Sequence, residues 1–189
     1  MKYIKVSVIA ATLIAAGFSS AYAAVTPPAI NSSSITISGS ITSSTCVVTF
    51  PTSATIPDIY QNDYTNTPAD AQVGTDVNVG NVTFTGCNGK QVTLAAKANA
   101  LEGDNTKGTF AFAGSGTENP MVYTLGYQSG GNTGDFNLGD ATPVSFTANG
   151  DDFNLPQTLK VMKKGETIPD IASYAGAFTA TVTYTATYQ

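Results

Sequence analysis

The sequence predicts an all-β sandwich. Short segments with apolar residues at every second position recur along the chain, and Gly, Asn and Pro signals separate them. No segment keeps a helical period over about ten residues, which removes the helical and α/β alternatives.

Residues 1–23 read as an export signal. Lys2 and Lys5 give a positive start, Val6 to Phe18 an apolar centre, and Ala21-Tyr22-Ala23 a small-residue cleavage site. The mature chain then has 166 residues, enough for one domain with a sizeable core. Later apolar runs all fall short of the ~18 residues of a membrane span, so the mature chain is expected to be soluble and exported. Of eight basic residues two lie in the signal, and against 13 acidic ones the mature charge is −7. Arg is absent and no basic cluster occurs, so nucleic acid is not an expected partner. Two cysteines in an exported chain, Cys46 and Cys87, are most simply one disulfide.

The elements follow in order. Residues 24–32 hold Pro27-Pro28 and no period, a short flexible leader. The next stretch, SSITISGSI, places Ser33, Ile35, Ile37, Gly39 and Ile41 on one face of a strand and only Ser and Thr on the other. Thr45 to Phe50 puts Cys46, Val48 and Phe50 on one face and stops at Pro51. Residues 51–75 are expected to be mostly loop, with Ala54 to Ile59 a short edge strand. Val77 to Cys87 alternates through Val77 and Val79, then through Val82 and Phe84 after a slip at Gly80-Asn81, the mark of a bulge. Asn88-Gly89 is a turn. Gln91 to Leu101, Thr109 to Ala113 and Val122 to Tyr127 read as strands, and the Gly-rich run from Gly130 to Asp140 as turns. Val144 to Ala148 is a short strand and Asn149-Gly150 a turn. Phe153 to Met162 is longer, with either Leu155, Gln157, Leu159 and Val161 inward or the opposite register around Pro156. After a loop over 163–175, Phe178 to Gln189 is expected as one half-buried strand. Its inward face is Phe178, Ala180, Val182, Tyr184, Ala186 and Tyr188, and threonines occupy the other.

Catalysis finds no support. Without histidine, the serine and cysteine mechanisms that need an imidazole base are gone, together with the commonest neutral metal ligand. Asp151-Asp152, the adjacent acidic pair, follows Asn149-Gly150 and reads as a solvated hairpin tip. The single GGNTGDFNLGD run reads as a loop, because glycine-aspartate calcium turns repeat in tandem. No enzyme activity, metal or cofactor is expected.

Two strongly patterned terminal strands can pair with each other in a closed sandwich, or the first can leave and complete a neighbour. The motifs at these ends resemble those of chaperone-usher fimbrial subunits, pilins of the type 1-like kind. Ile35 and Ile37 precede Gly39, Ile41 follows, and Gly39 stands seven residues before Cys46, with Cys87 at a fitting distance. Tyr188 is penultimate and Gly176 fourteenth from the end, similar to the family's assembly motif. The layout matches throughout the mature chain, although residues 51–165 match only as generic β-structure.

The resemblance implies an incomplete immunoglobulin-like sandwich lacking its last strand, which a donor strand from another subunit completes. Residues 24–42 would be the donor extension and 43–189 the pilin domain. Gly176, Phe178, Ala180, Val182, Tyr184, Ala186 and Tyr188 would border the acceptor groove. The implied partners are neighbouring pilin subunits in a head-to-tail polymer, a periplasmic chaperone and an outer-membrane usher. The implied location is an extracellular fimbrium reached through the periplasm, serving cell adhesion. The alternatives are a tip adhesin or a free secreted carbohydrate-binding sandwich.

Overall fold

The alternating segments fold as strands, and the turn signals fall between them. The structure, a computed structural model, describes residues 46–113, 119–166, 168 and 171–189. The expected signal, the leader and the strand bearing Ser33, Ile35, Ile37, Gly39 and Ile41 lie outside the described residues.

Strand β1 (Val47–Thr49) and a short helix α1 (Gln61–Asn66) come first, then β2 (Val77–Thr85), β3 (Gln91–Lys97), β4 (Ala100–Leu101) and β5 (Asp104–Thr109). They are followed by β6 (Ala111–Phe112), β7 (Met121–Ser129), β8 (Asn132–Asp135), β9 (Val144–Thr147) and β10 (Asp152–Lys163). A 3-10 turn (Ile171–Tyr174), β11 (Phe178–Thr179) and β12 (Thr183–Tyr188) complete the chain. The larger sheet runs β1-β2-β10-β7-β5-β4 with β8 also on β7; the smaller is β12-β3-β9, and β11 pairs β6 in a short ribbon. All these pairs are antiparallel. The fold is an all-β sandwich. Val82, Phe84, Leu125 and Leu155 of the larger sheet share one core with Val92 and Leu94 of the smaller.

The slip in β2 is a bulge. Gln157 pairs with Gly80 and Thr158 with Asn78, so Val79 has no partner in the ladder. Val77 and Val82 have opposite parity, yet both are buried; the extra residue is what turns both inward. Gly80 takes φ +108°, a conformation that favours glycine. In β10 the register is the one with Leu155, Gln157, Leu159 and Val161 buried. Cys46 and Cys87 are bonded with their Cα atoms 4.7 Å apart, tying the start of β1 to the end of β2. Closing that loop stabilises the domain by about 4 kcal/mol in the chain-entropy model.

Several elements differ from the sequence expectation. No strand forms over 54–59, and six residues of helix follow at 61–66. The helix stops before Pro68, and it buries Tyr64, with the Lys163 ammonium 4.9 Å from its ring centre. The Gly130 to Asp140 run contains β8, and Phe136 and Leu138 within it are fully buried. The stretch from Gln91 to Leu101 is two strands, because the chain changes sheets between Lys97 and Ala100. The C-terminal stretch is divided likewise, β11 pairing with β6 and β12 with β3.

Candidate functional site

β12 is a sheet edge. It pairs with β3 from Thr183↔Lys97 to Tyr188↔Val92, and among the described residues no strand pairs with its other side. An edge of this kind offers a row of backbone N–H and C=O groups to any extended chain beside it. A cleft of about 690 Å³ lies along the N-terminal part of this edge and the residues before it. One wall is the segment from Gly176 to Ala180, continuing to Val182 and Tyr184; the other is the run from Pro51 to Tyr60. The floor is apolar: Val79, Phe110, Leu125 and Leu159. Leu125 and Leu159 come from β7 and β10, the two central strands of the larger sheet, so the cleft reaches the middle of the core.

Local sequence explains each wall. Pro51 and Pro57 have no N–H to give a ladder, so the wall from Pro51 to Tyr60 has no strand pairing, with Ile56 and Ile59 half-buried. The wall from Gly176 to Tyr184 is anchored by aromatic packing. Phe178 lies opposite Phe112 across the short ribbon, with ring centres 5.6 Å apart, and 5.0 Å from Phe110. Gly176, at φ +131°, lets the chain turn into that ribbon.

At the Tyr184 end the cleft closes and turns polar. The Phe50 ring stacks on Tyr184 at 5.6 Å with 7° between planes, bridging the two walls. Tyr184 Oη donates to Gln157 Oε1 at 2.5 Å. Gln157 is 1% exposed, and its Nε2 has no hydrogen-bond partner. The hydroxyl of fully buried Tyr123 has none either. Burial pushes the Tyr123 phenol up to about 12. Burial, with a smaller contribution from the neighbouring Tyr123, pushes Tyr184 up to about 12 as well. Both stay neutral under ordinary conditions.

The structure brings Gly176, Phe178, Ala180, Val182 and Tyr184 together along one wall. Phe178, Val182, Tyr184 and Ala186 pack against the core, whereas Ala180 is exposed. Tyr188, expected to face the core, is 49% exposed with the Lys90 ammonium 5.9 Å from its ring centre, and neither it nor Ala186 borders the cleft. The opposite wall over 51–60 and the buried Gln157 amide were not legible as a site. Alternation marks Leu125 and Leu159 as core residues but does not say that they line a cleft. Among the described residues no group of three or more acidic, Cys or His side chains is placed to hold a metal. An apolar floor beside a free hydrogen-bonding edge suits an extended peptide.

The fold and site together define a β-sandwich with an apolar cleft beside the edge strand β12. No protein-family model matches the chain, and no curated protein matches it. Among solved structures it is similar to the P pilus rod subunit PapA, with TM-score 0.42 and 18% identity over 70% of this chain and 98% of that one. It is also similar to a chain in the structure of a chaperone-usher pilus, with TM-score 0.44 and 15% identity over 85% of this chain and 97% of that one.

Proposed function

We propose that the chain is a structural subunit of a surface pilus that polymerises by strand exchange and supports cell adhesion. Residues 24–42 act as the donor extension and 43–189 as the acceptor domain, with an immunoglobulin-like sandwich whose last strand comes from the next subunit. The observation that carries this reading is the cleft beside β12, whose floor is formed by central-strand residues rather than by edge residues. A cleft of that kind puts an apolar floor and half-buried Val79 and Val182 beside unpaired backbone, which an isolated secreted domain avoids.

The stretch SSITISGSI supplies what the cleft lacks: backbone for the edge and an isoleucine at three of five alternate positions. Each isoleucine removed from water contributes about 1.5–3 kcal/mol. Donor and acceptor surfaces differ, so the contact runs head to tail and propagates as a fibre. Before assembly the open seat requires a protective partner, the role of a periplasmic chaperone, with an outer-membrane usher passing the subunit to the surface.

The test is to remove residues 24–42 and append the Ile30 to Ser44 segment after Gln189 through a flexible linker. The comparison is the same chain bearing Ile35→Asp and Ile37→Asp. The native appended strand is expected to give a monomer melting on the order of 10 °C or more above the Asp version. Equal melting of two soluble chains would mean that the sandwich is complete without the strand. The free binding-protein reading would then replace this one.

A further inference from the structure

The wall from Gly176 to Tyr184 and the stretch from Ser33 to Ile41 are each nine residues long, and the alternate wall positions Gly176, Phe178, Ala180, Val182 and Tyr184 all border the cleft. Only two orientations are open. Antiparallel pairing, used by all the described strand pairs, sets Ile41 against Gly176, Gly39 against Phe178, Ile37 against Ala180, Ile35 against Val182 and Ser33 against Tyr184. Large then meets small at four of the five positions, Ile35 against Val182 being the fifth, and the one polar residue of the set reaches the one polar end of the cleft. Parallel pairing instead sets Ile35 against Phe178 and Ile41 against Tyr184, bulk on bulk.

Beneath Tyr184 lies the Gln157 amide, fully buried, with Oε1 taken by the Tyr184 hydroxyl and Nε2 without a partner. A buried amide N–H with no acceptor is a defect that the folded domain alone leaves unrepaired. We propose that Gln157 is a register-setting residue of the seat, its Nε2 donating to the Ser33 hydroxyl of a second copy of the chain. This rests on the strand-exchange reading above. A slip of the incoming strand by two residues in one direction brings Ile35 over the amide and leaves it unpaired, so the contact penalises wrong registers as well as stabilising the right one.

Chain reach supports a second copy. In the antiparallel register Ile41 lies at the Gly176 end, while Cys46 precedes Phe50, which stacks at the Tyr184 end. Five residues span at most ~18 Å, and the wall extends ~26 Å at ~3.3 Å per residue. A link as short as that from Ile41 to Cys46 favours a second copy of the chain as the occupant in this orientation.

The test substitutes Ser33 by Thr and by Val in the otherwise unaltered chain. The two replacements have nearly the same shape and differ in the hydroxyl, and neither touches the acceptor domain. Polymers are transferred to a fixed guanidinium concentration and subunit release is timed. The Ser33→Thr polymer is expected to release within about twofold of the unaltered one, and Ser33→Val about tenfold faster, although valine is the more apolar. In chains that also carry Gln157→Leu the Thr and Val versions are expected to release alike. A Ser33→Val polymer as durable as the Ser33→Thr one overturns the contact while leaving strand exchange standing. If the unaltered chain forms no polymer, both the contact and the pilus reading fall.

Discussion

The buried phenol of Tyr123 makes the domain sensitive to alkali in a way that can be worked out from the structure. Tyr123 is fully buried and its phenol is raised from the ordinary 10.0 to about 12, with burial as the cause. The folded state therefore holds this proton more tightly than the unfolded chain. The associated stability is fully present below pH 10 and is lost as the pH climbs from the unfolded value to the folded one. A hundredfold difference in proton affinity corresponds to about 2.7 kcal/mol. That is a large part of the ~5–15 kcal/mol by which a domain is stable. Tyr184 moves in the same direction, but it borders the open cleft, and its contribution is discounted accordingly.

Replacement of Tyr123 by Phe removes the titrating group and a hydroxyl that has no partner, keeping the ring against Phe110 at 4.9 Å. At neutral pH the Phe version should be no less stable. Guanidinium midpoints of the two chains, both lacking residues 24–42 to prevent polymerisation, should diverge in favour of Phe above pH 10. The gap should grow by about 2 to 3 kcal/mol on approaching pH 12. A gap that stays constant across that range would refute the assignment of a buried neutral phenol at position 123.

Gly108→Ala should destabilise the domain by about 1–3 kcal/mol or more, read as a lower denaturant midpoint, because a Cβ there would overlap the Tyr123 ring. Replacing both Cys46 and Cys87 by Ala should cost about 4 kcal/mol and reduce periplasmic yield; unchanged melting would show the disulfide to be dispensable. Ile35→Asp with Ile37→Asp should leave a subunit that folds but does not join its neighbour. Electron micrographs showing fibres of normal length from that variant would remove the donor role.

Much of the framework was written in local pattern. The bulge was visible because Val77 and Val82 are both apolar and out of phase, and burial of both demands one extra residue. Asn88-Gly89 and Asn149-Gly150 fixed two turns, and both glycines take positive φ. What escaped depends on partners distant in sequence. The split between β11 and β12 arises because Phe178 finds Phe112 while Tyr184 finds Ala96. Alternation from Phe178 to Tyr188 is the same whether one sheet or two receive it. Tyr188 has the period of a core residue, but β12 outruns the core at its end, so the ring lies on the surface beside Lys90. Phe136 and Leu138 sit in a glycine-rich run with no period of its own, and only the tertiary fold shows that they fill the core.

The cleft shows why the two chain ends belong to one argument. In an ordinary sandwich the sheet edges can be left open cheaply, since edge residues carry little of the core. Here the cleft reaches down to Leu125 and Leu159, buried residues on strands with ladder partners on both sides. Whatever covers it must be extended, because the walls leave a groove rather than a bowl. It must be apolar at alternate positions to match the floor, and it must carry a hydrogen-bond acceptor near Tyr184, where the Gln157 amide has no partner. Outside the described residues the sequence offers a stretch with that combination, Ser33 to Ile41, and chain reach favours placing it in another copy. An apolar cleft beside an unpaired edge, and elsewhere in the same sequence an alternating stretch of matching length, are the two features that the proposed strand exchange requires of one chain.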